Sequence, residues 1–259
     1  MLFQAKAYLQ YLLKAKDPDR IKDNLMSELL EKVCDEDKTY YAFLTLSSLR
    51  KKLKKDTRVI TVTDLGAGSK NLKSNRRRIS DIARLSVKKE KFATALFRLV
   101  ESENAINIIE IGTSLGLTTS YIGLANKSAK VLTLEGCPEI AAIARENLRL
   151  LQVNNVRIIE GGFDETLPII LKEDTKFDLV FIDGNHTKDA TLKYFEMFKN
   201  NISKDAILIF DDIHWSKGMS EAWDEIINDP FYTCTVDLFE MGLVFVSSSF
   251  QKGNHIVKY

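Results

Sequence analysis

The sequence predicts an α/β protein: a doubly wound, mostly parallel sheet of seven strands whose last pair forms an antiparallel hairpin, preceded by an N-terminal helical extension. Three observations predict it. From residue 105 onward, five short runs rich in Ile and Val alternate with helical segments. These runs are nearly continuous in apolar character, as strands buried on both faces require. Two later runs are separated only by "EM", which leaves no room for a helix, so they pair antiparallel at the sheet edge.

Taken in order, residues 2 to 55 place apolar side chains at helical spacing: Leu9, Leu12 and Leu13, then Leu25, Leu29, Leu30 and Val33, then Phe43, Leu44, Leu46 and Leu49. Three helices follow, the first two parted by "DPDR" (17 to 20), where proline stops one helix and suits the start of the next. Residues 56 to 87 are mixed, polar and basic, whereas "KKEKFATALFRLVES" (88 to 102) sets Phe92, Leu96, Leu99 and Val100 on one helical face. The strand runs are "AINIIEI" (105 to 111), "KVLTLE" (130 to 135), "VRIIE" (156 to 160), "FDLVFID" (177 to 183) and "AILIFDD" (206 to 212), with "FYTCTVDLF" and "GLVFVSS" as the hairpin. Trp223, Ile226 and Ile227 have helix spacing and read as core. The organisation expected is a helical cap or lid over 1–104, a sheet domain over 105–250 and a tail over 251–259 that contains His255.

Composition narrows the class. Hydrophobic residues make up 45% of the 259 and charged residues 28%, proportions of a folded globular protein rather than a disordered one. No segment reads as a secretory leader, and no run reaches the ~18 apolar residues of a membrane span, so a cytoplasmic location without membrane contact is expected. Cys34, Cys137 and Cys234 lie far apart without a C-x-x-C pair, which points to reduced thiols and away from a zinc site. Net charge is +9 over residues 1 to 104 and −8 over the remainder. Halves that attract one another explain this split, and so does an anionic partner near "RKKLKK" (50 to 55) and "NRRR" (75 to 78).

Two glycine-rich turns compete for a ligand. "IIEIGTSLGLTTS" (108 to 120) meets every need of a nucleoside-binding turn: a buried strand before it, Gly112 and Gly116 around the turn, a helix after it and Glu135 closing the following strand, where a carboxylate can accept from both ribose hydroxyls. "VTDLGAGSKNLKS" (62 to 74) has no second apolar strand ending in an acid and lacks the phosphate-loop spacing, so it reads as a basic loop, either a surface turn or a lid. A dinucleotide fingerprint would put glycine at position 114, where this chain has Ser114.

The pattern E-x-G-x-x-x-G, with Glu110, Gly112 and Gly116, resembles the first motif of class I S-adenosylmethionine-dependent methyltransferases. The resemblance extends over residues 105 to 248, through "TLEG", "EGGFDETL", "FDLVFIDGNH" and "LIFDD", and is nearest the small-molecule O-methyltransferase branch. It implies a Rossmann-like fold, S-adenosylmethionine as methyl donor and a small-molecule acceptor. The cofactor residues it implies are Glu110, Gly112, Thr113, Ser114, Gly116, Glu135, Gly136, Gly162, Phe163 and Asp183.

In that branch an acidic residue after the fourth strand and one or two after the fifth often bind a divalent cation. Asp183, Asp211 and Asp212 stand at those positions, on neighbouring strands ~4.8 Å apart, and three hard oxygens suit Mg²⁺ or a similar ion. Alternatively Asp183 orders the cofactor and Asp211 or Asp212 caps the next helix, since adjacent strand residues point opposite ways. His186, in "DGNH", matches the D-G-x-H arrangement of sugar- and polyketide-directed relatives whose histidine is a general base; its plain alternative is a loop histidine. His214 and Trp215 are expected to line the same pocket, and Cys137 to pack. The expected activity is O-methylation of a small molecule by Asp183 and His186, with a metal, a base or both. A nucleic-acid methyltransferase using the basic half is the alternative, although "DGNH" stands where base-methylating enzymes carry N-P-P-[YF]. A homodimer through an apolar face of an N-terminal helix is compatible with the pattern.

Overall fold

Three helices, α1 (Leu2–Lys14), α2 (Asn24–Cys34) and α3 (Tyr41–Leu53), occupy the N-terminal stretch as its periodicity predicts. The protein was analysed as a computed structural model, which describes residues 2–63 and 74–259. Asp23 starts α2 by accepting the Leu25 and Met26 amides, satisfying donors that the first helical turn leaves without partners. Most of the second glycine turn, residues 64–73, lies outside the described residues, and with it the reading of that loop as a lid or a surface turn. The stretch around it is more ordered than its mixed composition predicts. β1 (Val59–Thr61) and β2 (Arg76–Arg78) pair antiparallel, and α4 (Ile79–Leu85) follows with Ile79, Ile82 and Ala83 buried. The sequence reading missed α4 because its apolar positions span only about two turns, shorter than the windows over which periodicity speaks.

After α5 (Glu90–Glu103) the chain alternates strand and helix: β3 (Asn107–Ile111), α6 (Leu117–Ala125), β4 (Lys130–Glu135), α7 (Pro138–Leu150), β5 (Val156–Glu160), α8 (Phe163–Ile170), β6 (Phe177–Ile182), α9 (Lys188–Phe198), β7 (Ile202–Asp211) and α10 (Lys217–Ile226). β8 (Cys234–Asp237) and β9 (Met241–Phe245) form the predicted hairpin. The sheet has eight strands among the described residues rather than seven, in the order β10-β8-β9-β7-β6-β3-β4-β5. The additional strand, β10 (Gly253–Ile256), comes from the segment expected to be a tail and pairs parallel with β8. Its signal is weak because main-chain pairing and polar contacts hold it: Asn254 bonds Thr235 and the Ile227 carbonyl, and the carbonyl of the buried Val257 just beyond accepts from the Tyr11 hydroxyl at 2.6 Å.

Register positions the site. Ile111 lies opposite Leu134 on one side and Ile182 on the other, and Ile182 lies opposite Phe210, so β3, β4, β6 and β7 end along one edge. β3 sits where the strand order reverses, and ligands of doubly wound sheets occupy the crevice outside that point. One sheet face packs on α2 and α5 through Leu29, Leu30, Leu96 and Leu99. The opposite face packs on α8, α9 and α10, where Trp223 and Ile226 are core as expected. A third core joins α3, α4, α5, α6 and α7 through Leu46, Leu49, Ile82, Phe97 and Tyr121. Outside these cores α1 exposes Leu9 and Leu13. No helix among the described residues is long and apolar enough to cross a membrane.

Candidate active site

The turn after β3 takes its shape from backbone constraints that only certain residues satisfy. Gly112 has φ of +106°, and a Cβ there would stand 2.0 Å from the Asp183 carbonyl oxygen, so both its conformation and the closeness of β6 demand glycine. Gly116 (φ +73°) lies against Ala144 of α7 and lets α6 begin close to that helix. Between them Ser114 adopts φ of 49°, a left-handed conformation uncommon for a residue with a side chain. Its amide donates to the Glu135 carboxylate at 2.9 Å, and the Cys137 amide donates to the other oxygen at 2.9 Å. Burial pushes the Glu135 carboxyl above its ordinary range, opposed by the amides of Cys137, Ser114 and Gly136. Each oxygen retains lone-pair capacity toward the cavity it lines.

Glu110 has a different place from the one its motif suggests. It is fully buried under the turn, accepts from Thr119 Oγ1 at 2.5 Å and Thr133 Oγ1 at 2.6 Å, and does not reach the cavity wall. Burial pushes its carboxyl up to about 8 against those two hydrogen bonds. Thr133 Oγ1 also lies 2.6 Å from Thr113 Oγ1, so a chain of hydroxyls ties β3, β4 and α6 to the turn. Thr113 and Gly116 likewise shape the turn without lining the cavity.

The cavity at this edge has a volume of about 410 Å³. Gly112, Ser114, Glu135, Gly136, Gly162, Phe163 and Asp183 line it, together with His186. The sequence reading missed several others on the wall: Val62, Thr63, Arg77, Ile82, Ser86, Ile140 and Tyr194. Most of these belong to the β1–β2 hairpin and α4 region, which no motif signals. Cys137 packs as expected, buried with its Sγ against the Thr63 amide and the Thr61 carbonyl. Thr61 N also donates to Glu139 at 2.8 Å, so the hairpin is fastened to the start of α7 beside the cavity.

At the end of β6, Asp183 Oδ1 stands 3.4 Å from His186 Nε2. Burial works to lower the His186 value, but the hydrogen bond and charge of Asp183, helped by Asp212, outweigh it and leave the imidazole above its ordinary range. His186 and Asn185 have φ of 35° and 64°, so the turn that aims them holds two left-handed residues in succession.

The end of β7 departs from expectation. Asp211, 5% exposed, forms an ion pair with the buried Lys88 ammonium, which also lies 5.0 Å from the Phe92 ring centre. Asp212 turns through φ of 56°, its amide donating to the Glu240 carbonyl at 2.7 Å. Burial pushes the Asp212 carboxyl up, against the positive charges of His186 and Lys88. Among the described residues no three or more His, Cys, Asp or Glu are grouped to hold a metal ion, so the expected trio of Asp183, Asp211 and Asp212 is not assembled. A divalent ion does not fit this donor set, because a lysine occupies the carboxylate that would have to ligate it. Lys88 escaped the sequence reading because "KKEK" before an amphipathic helix looks like a solvated charge run. His214 does not line the cavity either: Ser220 Oγ (3.1 Å) and Asp237 Oδ2 (2.8 Å) hold its two nitrogens, and it stacks on Phe239.

A doubly wound sheet ending in an antiparallel hairpin, with its glycine turn at the strand-order reversal and an acid at the next strand's end, is the arrangement of class I methyltransferases. Residues 109–213 match a methyltransferase domain family. Among curated proteins, the catechol O-methyltransferase of Niastella koreensis is 32% identical over 125 residues, 47% of this chain and 54% of that protein. The chain spans about half the length of the curated relatives it matches. Among solved structures, the Podospora anserina methyltransferase PaMTH1 bound to SAH matches with a TM-score of 0.60 at 15% identity, over 85% of this chain and 95% of that one. An O-methyltransferase from Bacillus cereus in complex with SAH matches with a TM-score of 0.57 at 20% identity, over 82% and 93%. At these identities the solved structures speak for the fold.

Proposed function

We propose that this protein transfers a methyl group from S-adenosylmethionine to an oxygen of a small-molecule acceptor, with His186 as the general base. The observation that carries the reading is one cavity walled by Gly112, Ser114 and Glu135 on one side and by Asp183 and His186 on the other. Its shape fits the donor: Gly112 lets the turn close against the backbone at Asp183, and Glu135 presents a carboxylate where ribose hydroxyls can donate. Gly136, Gly162 and Phe163 complete the nucleoside side. When bound, S-adenosylmethionine supplies an electrophilic methyl carbon on sulfur.

The chain's own residues do the rest. Asp183 accepts from Nε2–H of His186, which leaves Nδ1 as the basic nitrogen. That nitrogen takes the proton of the acceptor hydroxyl as its oxygen bonds to the methyl carbon; the carbon–sulfur bond breaks and its electron pair stays on sulfur. General-base help of this kind contributes about 10²–10⁴-fold. The β1–β2 hairpin and α4 close one side of the cavity through Val62, Thr63, Arg77, Ile82 and Ser86, and an acceptor of the catechol or similar phenolic type is suggested by the name of the Niastella koreensis relative.

The test has two parts. Calorimetric titration with S-adenosylmethionine and with its demethylated product should give heat for both, and a silent titration sinks the reading. Incubation with methyl-labelled donor and a panel of phenols should place the label on oxygen, and label on nitrogen or carbon would redirect the assignment.

A further inference from the structure

Lys88 precedes α5, whose face carrying Phe92, Leu96 and Leu99 is sealed against the core, so the ammonium has a fixed anchor rather than a free stem. Its side chain is 3% exposed and its partner Asp211 is 6% exposed. A lysine this buried persists only when a carboxylate or an equivalent group compensates its charge. The charges that act on it through space are those of Asp183, Asp212 and Glu240, which favour the ammonium while burial opposes it. Glu240 is occupied by the neighbouring Lys89. Lys88 is therefore paired with one of the three aspartates that, by position at the ends of β6 and β7, would be expected to share a dication, and the charges of the other two act on it.

We propose that the Lys88 ammonium is a built-in cation: it takes the charge position of a divalent metal among Asp183, Asp211 and Asp212, so this acidic rim excludes such ions and methyl transfer proceeds without one. The second half rests on the methyl-transfer reading above; the first stands on the buried Lys88–Asp211 pair. A dication entering the rim would have to strip Asp211 from Lys88, leaving a buried ammonium without its carboxylate beside a doubly charged ion. Lys88 thus acts through the aspartates as a positioning residue. It fixes Asp211 and tempers the negative potential around Asp183, the residue that orients His186.

Mn²⁺ binding by the full chain, followed by electron paramagnetic resonance, tests this. The wild type should leave micromolar Mn²⁺ free in solution, as should Lys88→Arg. Lys88→Met should take up Mn²⁺ about tenfold or more tightly than wild type, because Asp211 then loses its counter-charge and is free to serve as a ligand, and Lys88→Met with Asp211→Asn should lose that gain. Micromolar Mn²⁺ binding by the wild type that Asp211→Asn abolishes would overturn the proposal. A folded Lys88→Met protein that binds no more Mn²⁺ than wild type would overturn it too. Should Lys88→Met fail to fold, wild type and Asp211→Asn still decide. Titration of S-adenosylmethionine into the same wild-type sample separates the two readings: no cofactor heat alongside the expected Mn²⁺ pattern removes the methyl-transfer assignment and leaves the Lys88 assignment standing.

Discussion

The two halves of the site edge are built by different physics. At the ends of β3 and β4 the chain is shaped by backbone: two glycines and Ser114 with positive φ, amides converging on Glu135, and a hydroxyl chain beneath that exposes no charge. At the ends of β6 and β7 it is shaped by paired charges, Asp183 with His186 and Asp211 with Lys88. The difference teaches what each half tolerates. The backbone half depends on a few small residues and meets pH only through the carboxyls buried in it, Glu110 above all. Charge pairs are sensitive to pH and depend on both partners being present.

The sharpest break of this contrast comes at His186. His186→Gln should lower kcat by about 10²–10⁴-fold while S-adenosylmethionine affinity is kept, since the cofactor side owes nothing to that charge. Steady-state kinetics alongside calorimetry checks both halves at once. The base must be neutral to act, and Asp183 and Asp212 hold the imidazole above its ordinary value against burial. The rate in wild type should therefore climb with pH through a midpoint above 6.5, and Asp183→Asn should move that midpoint down. An unshifted midpoint would show that the two side chains do not communicate.

Gly112→Ala strikes the other half. The left-handed conformation alone costs about 1–3 kcal/mol, and the approach of the Asp183 carbonyl adds to it. The unfolding midpoint in urea should fall with its pH dependence unchanged, and cofactor heat should vanish. Glu110→Gln has a smaller effect and a pH signature. The folded carboxyl is raised from 4.5 to about 8, so the folded state holds a proton that the unfolded state has released between those values. Wild-type stability from this group is complete below about 4.5 and declines as pH rises toward about 8. Glutamine cannot ionise, so the variant should stay within about 1 kcal/mol of wild type at pH 5 and lose less than wild type on going to pH 8. Parallel stability curves would mean that Glu110 is already ionised under the turn.

Much of this was legible in the chain, and the illegible parts share a cause. Buried parallel strands announce themselves because both faces must be apolar, and Gly112, Glu135 and Asp183, the residue types a nucleoside turn would call for at those strand ends, do line one cavity. The eighth strand went unread: "GNHI" joins the sheet by main-chain pairing at an edge, which demands little of side chains. The pairing of Lys88 with Asp211 went unread for a related reason. Two residues 123 apart in sequence meet only after α5 docks on the sheet, and nothing local distinguishes Lys88 from Lys89, which remains largely exposed. Glu110 is the instructive middle case, correctly marked as special by its motif yet placed beneath the turn rather than in the cavity.

The smallest expected effect concerns the basic half of the chain. Arg76 and Arg78 flank Arg77 in β2; both are exposed, whereas Arg77 is half-buried and lines the cavity. Alternation along a strand sends neighbours to opposite faces, so the cluster "NRRR" divides into one arginine turned toward the site and two turned away from it. Replacing Arg76 and Arg78 together by Ala should change stability by no more than about 0.5 kcal/mol, as exposed positions do, and leave cofactor heat and turnover on a phenol unchanged. If the basic stretch instead serves a nucleic-acid acceptor, the same double variant would lose affinity for RNA, and its salt dependence would flatten by about one unit of slope per phosphate contact removed. Electrophoretic mobility measured at two salt concentrations reads that difference directly. Binding of wild type to RNA that weakens in the double variant would transfer the acceptor assignment from small molecule to polynucleotide without touching the cofactor side, because no part of the turn at Gly112 or of Glu135 depends on these two side chains.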